Sequence, residues 1–526
     1  MRNEGLGSWI HRRRVKSAGM PAVAGAGIEL TYDQLAERIE RLATALAARG
    51  VTRGSRVAYL GNNHPAFLET LFAATSLGAV FVPLNTRLAP PEVRFALQDS
   101  GSTVLIHAEE LDGLAVLGCT ESPVQHRLMV AAELGQKAGV HQAETAAPAG
   151  GPAAEPYEEV LQGAAGESRD EPVSLEDPAI ILYTSGTTGN PKGALLTHGN
   201  MTWNSINVLV DYDVSSETAA LMIAPMFHVA SLGMGALPVL LKGGKLVLHS
   251  RFEPGATLAA IEEHRITSLS GVPTTYQMLA EHPAWESTDL SSLRMLTCGG
   301  SPVPARVLDA YEERGLSFSG GYGMTETSPG ATALPARYSR AKAGSAGLPH
   351  FFTNVRIAGS GGTQAAPGEV GEIQIRGGNV IREYWNRPDA TLTAFSDGDW
   401  FNSGDMGYFD QDGFLYISDR IKDMIISGGE NIYPAQVEQL IMELREVSAV
   451  AVIGVPDERW GEVPHAVVVR AEDAELDEAA VLAHLEGKLA RYKVPKSVEF
   501  RDALPTTASG KIRKADLRQA ALGTAG

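Results

Sequence analysis

Apolar residues alternate along the chain between helical spacing and short continuous runs. Thr31 to Arg49 places Leu35, Ile39, Leu42, Ala45 and Leu46 on one helical face, and Gly50 stops the run. Thr31 with Gln34 three residues later reads as a capping box. Arg56 to Leu60 reads as a strand, Pro65 to Gly78 as a helix and Ala79 to Pro83 as a strand, and Leu105 and Ile106 continue the pattern. This alternation predicts a mostly parallel α/β sheet. From about 132 to 172, Ala, Gly, Pro and Glu dominate and periodicity fades, which predicts a surface excursion or flexible loop. Alternation resumes at Ala179. Glu372 to Arg376 and Gly413 to Ile417 read as short strands of a compact β subdomain. Further on, Ala449 to Val455 and His465 to Arg470 read as buried strands. Asp477 to Arg491 reads as an amphipathic helix with Val481, Leu482, Leu485 and Leu489 on one face. The expected fold is α/β: a large N-terminal domain of α/β sheets plus a β subdomain, followed by a small α+β C-terminal domain.

At 526 residues, 44% of them hydrophobic, the chain is too long for one core. The 62 acidic and 44 basic residues leave a net charge of −18, which repels nucleic acid phosphate and argues against a nucleic-acid role. Cys119 and Cys298 offer no metal-site spacing and no disulfide framework, a usage that suits a reducing cytoplasm. Cys298 is expected to be a buried small side chain rather than a nucleophile. The longest apolar run, Val229 to Leu241, is interrupted by Gly233, Gly235 and Pro238 and is too short to span a bilayer. Arg12, Arg13, Arg14 and Lys16 precede no long apolar stretch, so no signal peptide is read. Membrane contact through these cations is expected to be peripheral at most, a solvated face being the simpler reading.

The densest chemistry follows the apolar strand Ile180 to Leu182, in Tyr183-Thr-Ser-Gly-Thr-Thr-Gly-Asn-Pro-Lys-Gly193. Gly186 and Gly189 let backbone N–H groups turn toward an anion. Thr184, Ser185, Thr187 and Thr188 add hydroxyl donors, and Lys192 adds a point charge. This is the chemistry of a polyphosphate cradle. It is not a Walker A loop, because Pro191 precedes the lysine where Gly is required and Gly193 follows it where Ser or Thr is required.

This loop resembles the signature of the adenylate-forming superfamily of acyl-CoA synthetases, luciferases and peptide-synthetase adenylation domains. Further strings resemble the family's motifs in the family's order. Pro225-Met-Phe-His-Val-Ala230 resembles the segment beside the acyl site, with His228 where the amino-acid-activating branch carries an Asp; an imidazole is no dependable anion for a substrate ammonium. Gly299-Gly300-Ser301 resembles the adenine-lining segment, and Gly321-Tyr-Gly-Met-Thr-Glu326 the next motif. There the resemblance implies that Tyr322 stacks on adenine, with Gly323 and Met324 beside it, that Thr325 contacts the α-phosphate and that Glu326 ligates Mg2+, with Thr184 as a second metal contact. Asp405, in Trp400-Phe-Asn-Ser-Gly-Asp405, and Arg420, in Ser418-Asp-Arg-Ile-Lys-Asp423, resemble the ribose site; the family often has Gly where Asp419 stands. Lys422 matches the hinge position, Ser427, Gly428 and Gly429 the loop on the coenzyme A side, and Lys511 the catalytic lysine. Trp460 is a further candidate for the coenzyme A side.

The resemblance covers nearly the whole chain and implies a domain over 1–419, a hinge over 420–424 and a mobile domain over 425–526. It implies an acid–CoA ligase that uses ATP, Mg2+ and coenzyme A and is a monomer or homodimer in the cytoplasm. Ala230, Ser231, Gly233 and Gly235 suggest a roomy apolar pocket for a medium- or long-chain fatty acid or a bulky lipophilic acid, or else tight helix packing. An aryl-acid–CoA ligase and an enzyme loading a carrier-protein thiol are the alternatives. A luciferase-like oxygenase and a non-enzymatic nucleotide-binding protein are weaker readings.

Overall fold

The fold is that of a computed structural model, which describes residues 2–133, 151–184, 191–299, 303–359, 363–420, 423–427, 430–457, 459–486, 488–507 and 512–523; for Arg420, Asn431, Leu522 and Gly523 the backbone alone is described. The chain divides into two compact units, one of residues 1–343, 347–354 and 375–401, the other of 344–346, 355–374 and 402–526.

The first unit is built on two sheets. A seven-stranded sheet runs in the order Ala154–Pro156, His126–Val130, Val104–Ala108, Arg56–Leu60, Val80–Leu84, Pro178–Thr184 and Lys192–Thr197. All its neighbours are parallel except the last pair, a hairpin. The central strands are buried along their length, which is why they read as unbroken apolar runs. The expected helices are present as Tyr32–Ala48 and Pro65–Ser76, and Thr31 and Gln34 form the capping box. A nine-stranded sheet carries the parallel strands Ala219–Met222, Ser268–Gly271, Met295–Cys298 and Phe318–Gly323. Cys298 is buried, and desolvation pushes its thiol up to about 12, so it is inert.

One stretch differs from expectation. Within 132–172, the strand Ala154–Pro156 extends the seven-stranded sheet and Tyr157–Gly163 is helical. Tyr157 is buried and donates to Glu69 Oε2 at 2.6 Å, a long-range anchor that local composition does not display. In the basic cluster, Arg12 bonds Ser8, Arg13 bonds the Leu241 carbonyl and Arg14 forms a forked pair with Glu40, while Lys16 is exposed. Among the described residues no helix is long and apolar enough to cross a membrane.

In the second unit, a sheet of Glu430–Ile432, Ile425–Ser427, Gly461–Arg470 and Val447–Asp457, with Ser497–Phe500 paired to Gly461–Arg470, covers a small core. That core includes Ile425, Val437, Val452, Val468, Val481 and Leu485. The helix expected over Asp477 to Arg491 is shorter, Glu478–Leu485, because Glu486 turns to extended backbone; Leu489 packs on the same core from beyond its end. The strands expected around 372–376 and 413–417 are present as Gly371–Gly377 and Leu415–Arg420.

Candidate active site

Parallel strands end on the same edge of a sheet, and in open α/β sheets that carboxyl edge is where ligands bind. Three of the motifs follow such ends in the first unit: Pro225 to His228 follows Ala219–Met222, Gly299 follows Met295–Cys298, and Gly321 to Glu326 closes Phe318–Gly323. Gly299 donates its N–H to Gly271 O at 3.2 Å, and a Cβ built on it meets no atom of the described residues within 4 Å. Gly300 and Ser301 lie outside the described residues.

The hairpin of the seven-stranded sheet carries the phosphate-loop flanks. Thr184 faces Lys192 across the ladder, and its hydroxyl donates to the Lys192 carbonyl at 3.3 Å. Ser185, Gly186, Thr187, Thr188 and Gly189 lie outside the described residues. The Lys192 ammonium stands 5.6 Å from the ring centroid of Tyr384. The Tyr384 hydroxyl in turn donates to Glu326 Oε1 at 2.8 Å. Burial, reinforced by the Glu326 charge, pushes the Tyr384 hydroxyl far above its ordinary value, so it stays a donor. Tyr384 therefore stands between the Lys192 ammonium and the Glu326 carboxylate, while the Thr184 hydroxyl is tied to the Lys192 backbone.

Thr325 and Glu326 lie in a single turn, Thr325–Thr327, held by the Met324 N–H on Thr327 Oγ1 at 3.0 Å. The preceding Tyr322 is half-buried and gives its N–H to Thr332 Oγ1 at 3.2 Å. Gly323 is required by close approach: a Cβ there would stand 1.6 Å from the Pro329 carbonyl oxygen. On the acyl side, the His228 ring lies 4.7 Å from that of Phe227. Asn63, which no motif marks in the sequence, clamps this segment: its amide donates to Met222 O and Ala224 O and accepts the Met226 N–H at 2.8 Å.

Packing accounts for two of the small residues near His228. A Cβ on Gly233 would lie 2.4 Å from Ser328 O and 2.7 Å from Pro329 Cδ, and one on Gly235 would lie 2.9 Å from Met222 Cε. Asn204 locks this stretch by donating to Gly233 O at 2.8 Å and accepting the Gly330 N–H at 3.0 Å. Gly233 and Gly235 thus serve close packing of the helical turn Ser231–Ala236.

In the second unit, Asp405 is buried and faces Arg420 across the antiparallel pair Trp400–Phe409 and Leu415–Arg420. Glu372 accepts the Gly404 N–H at 3.1 Å; burial, then the Asp405 charge, raises its carboxyl above the usual range. Asp419 stands where Gly is frequent in the resembling family, and it acts locally. Its carboxylate accepts the Ala435 N–H at 2.9 Å at the start of the helix Pro434–Ile441. Ser427 is buried opposite Glu430 and Gly461, and Trp460 is exposed with Arg459 over its ring. Lys422, Gly428, Gly429 and Lys511 lie outside the described residues.

The donor set fits a triphosphate with a hard cation. Among the described residues no three His, Cys, Asp or Glu side chains cluster as a metal cage. Glu326 spends Oε1 on Tyr384 and keeps its other carboxylate oxygen for an outside ligand. One carboxylate and a hydroxyl suit Mg2+, which takes most of its remaining ligands from phosphates and water. Tyr384 is invisible to motif reading because its link to Glu326 spans 58 positions with no spacing rule.

The AMP-binding enzyme family matches residues 10–385 and the AMP-binding enzyme C-terminal domain matches residues 436–511. A feruloyl-CoA synthase from Amycolatopsis is 53% identical over 99% of both chains. An indoleacetate–CoA ligase from Aromatoleum aromaticum is 43% identical over 98% of both. Among solved structures, a Mycobacterium tuberculosis fatty acyl CoA synthetase matches with a TM-score of 0.78 at 35% identity, over 99% of both chains. The o-succinylbenzoate coenzyme A synthetase of Bacillus subtilis, in complex with ATP and magnesium ion, matches with a TM-score of 0.81 at 31% identity, over 97% of this chain and 98% of that one. The protein belongs to the AMP-binding, adenylate-forming enzymes and is an AMP-forming acid–CoA ligase.

Proposed function

We propose that the enzyme converts an aryl-substituted carboxylic acid of the arylpropenoic class, such as ferulic acid, into its coenzyme A thioester through an acyl-adenylate. The fatty-acid reading rests on small residues near His228, and Gly233 and Gly235 are filled against Ser328, Pro329 and Met222. The aryl reading is supported by the 53% identity to a feruloyl-CoA synthase, against 35% to a fatty acyl CoA synthetase. The observation that carries the chemistry is the placing of the Lys192 cation and the Glu326 carboxylate on either side of Tyr384, with the Thr184 hydroxyl on the facing hairpin strand.

The acid is ionised at neutral pH, so its attack needs no strong general base. The barrier is an anion approaching the α-phosphate of a polyanion. Lys192, Thr184 and the loop Ser185 to Gly189 hold the triphosphate, Tyr322, Gly299, Gly300 and Ser301 receive the adenine, and Asp405 and Arg420 take the ribose. Magnesium, held by Glu326 and Thr184, screens phosphate charge when bound. A carboxylate oxygen bonds to the α-phosphorus, the bond to the β-phosphate oxygen breaks, and pyrophosphate leaves. Lys511 stabilises the charge developing on the transferring phosphoryl group. Reorientation about Lys422, in the 420–424 hinge, then brings Ser427, Gly428 and Gly429 to the thiol. The thiol sulfur, its proton lost, bonds to the acyl carbon; the acyl–phosphate C–O bond breaks and AMP leaves. ATP and coenzyme A are supplied in the cytoplasm, where the reaction is proposed to run.

Thioester formation should be measured with ferulic, indoleacetic and palmitic acids under one set of conditions. The expected kcat/KM order has ferulic acid first by at least about tenfold, the discrimination available to a shaped apolar pocket. Preference for palmitic acid would restore the fatty-acid reading.

A further inference from the structure

We propose that Tyr384 is a positioning residue for the metal–triphosphate end of the site, its hydroxyl fixing the Glu326 carboxylate and its ring supporting the Lys192 ammonium, so that one side chain sets the spacing between carboxylate and cation. This inference rests on the reading of Glu326 as a magnesium ligand and Lys192 as a phosphate contact.

Glu326 and Lys192 sit on flexible side chains from different elements, a turn and a hairpin strand. Left alone, each samples several rotamers, and ordering both on binding nucleotide costs free energy. Tyr384 engages both at once, at 2.8 Å to Glu326 Oε1 and 5.6 Å from its ring centroid to Lys192 Nζ. The ring is itself fixed. The backbone at Tyr384 pairs with Ala194, its N–H donates to Thr391 Oγ1 at 3.0 Å, and the Ile381 N–H donates to Glu326 O at 2.9 Å. Next along the chain, Trp385 gives its N–H to Gly193 O at 2.7 Å and its indole N–H to Asp99 O at 2.9 Å. The strand that carries Lys192 and the turn that carries Glu326 are thus both tied to the segment 381–385, and Tyr384 points its two chemistries at the two groups.

The test uses the full-length enzyme carrying Tyr384→Phe, Tyr384→Leu, Glu326→Gln, or Tyr384→Phe with Glu326→Gln. Manganese replaces magnesium, and the free Mn2+ resonance is titrated with enzyme in the presence of a non-hydrolysable ATP analogue. Tyr384→Phe should weaken Mn2+ by at least about tenfold, the scale of a lost hydrogen bond to a charged group. The KM values for acid and coenzyme A should stay unchanged. Tyr384→Leu should also weaken the metal-free analogue about threefold, as Lys192 loses its ring. In the Glu326→Gln background, Tyr384→Phe should add nothing. If Glu326→Gln weakens Mn2+ and Tyr384→Phe does not, the positioning role is overturned while the site reading stands. If Glu326→Gln itself leaves Mn2+ unchanged, Glu326 is no ligand and the reading beneath the inference fails. A parallel shift of every constant with melting temperature in Tyr384→Phe would mark a purely structural residue and overturn the proposal.

Discussion

The two units fasten their functional segments by different means. In the first, neutral side chains hold the site motifs: buried Asn63 holds Met222, Ala224 and Met226, buried Asn204 joins Gly233 to Gly330, and half-buried Tyr384 takes Glu326. In the second, ion pairs tie elements around the small core: Glu438 with Lys514, Asp423 with Arg518, Glu443 with His484 and Lys488, and Glu499 with Arg501. Buried hydrogen bonds fix one geometry, because an unmade bond there is costly. Partly exposed ion pairs are individually weak and remake easily with water or another partner. Neutral buried bonds thus hold one geometry in the first unit, while the ion pairs of the second are open to exchange.

The largest effect is expected at Lys511. Lys511→Ala should slow acyl-adenylate formation by about 100- to 1000-fold, roughly 2.7–4 kcal/mol of barrier, by analogy with the loss of an oxyanion donor. Thioester formation from supplied acyl-AMP should survive, and rapid-quench measurement of each half-reaction checks this. Equal loss in both would merge the roles that the comparison separates. Next, Gly323→Ala should destabilise the first unit by about 3 kcal/mol, because its Cβ meets the Pro329 carbonyl oxygen at 1.6 Å. Calorimetry should see that unit's transition fall while the other stays.

Acid should separate the units again. Burial lowers His198 to about 4, and its Nδ1 accepts the Leu6 N–H at 3.1 Å in the neutral form. The unfolded chain therefore takes up this proton first, near the ordinary value of about 6.5. The stabilising contribution is complete above that value and is lost as pH falls from there toward about 4, amounting to about 2 kcal/mol by pH 5. In the second unit, Arg501 holds Glu499 and Lys488 holds Glu443 below the usual carboxylate range, so their contribution is lost only as pH falls through that lower range. His198→Asn, which keeps an acceptor at the Nδ1 position, should reduce the first unit's pH dependence between 7 and 5, to which buried His64 and His107 also contribute. An unchanged slope would remove His198 as one of its sources. The smallest effect is expected at Asp419→Ala, which should cost about 1 kcal/mol, confined to the second unit, by uncapping Pro434–Ile441.

What the sequence disclosed follows from range. The capping box at Thr31 and Gln34 and the buried strands Val80–Leu84 and Val104–Ala108 are written in neighbouring residues, and so are the ordered motif strings. The helix Tyr157–Gly163 is hidden because its anchor, Glu69, lies 88 positions away. Gly233 is ambiguous because its partners, Ser328 and Pro329, lie on a distant turn. Tyr384 and Asn63 escape notice for the same reason: each acts on a motif far along the chain and belongs to none itself.

The central claim is that an organic acid displaces pyrophosphate from ATP on this protein before any thiol takes part. Labelled pyrophosphate should therefore enter ATP when enzyme, magnesium and ferulic acid are present without coenzyme A, and should not when the acid is omitted. Binding of ATP with no exchange under any arylpropenoic, arylacetic or fatty acid would contradict the account.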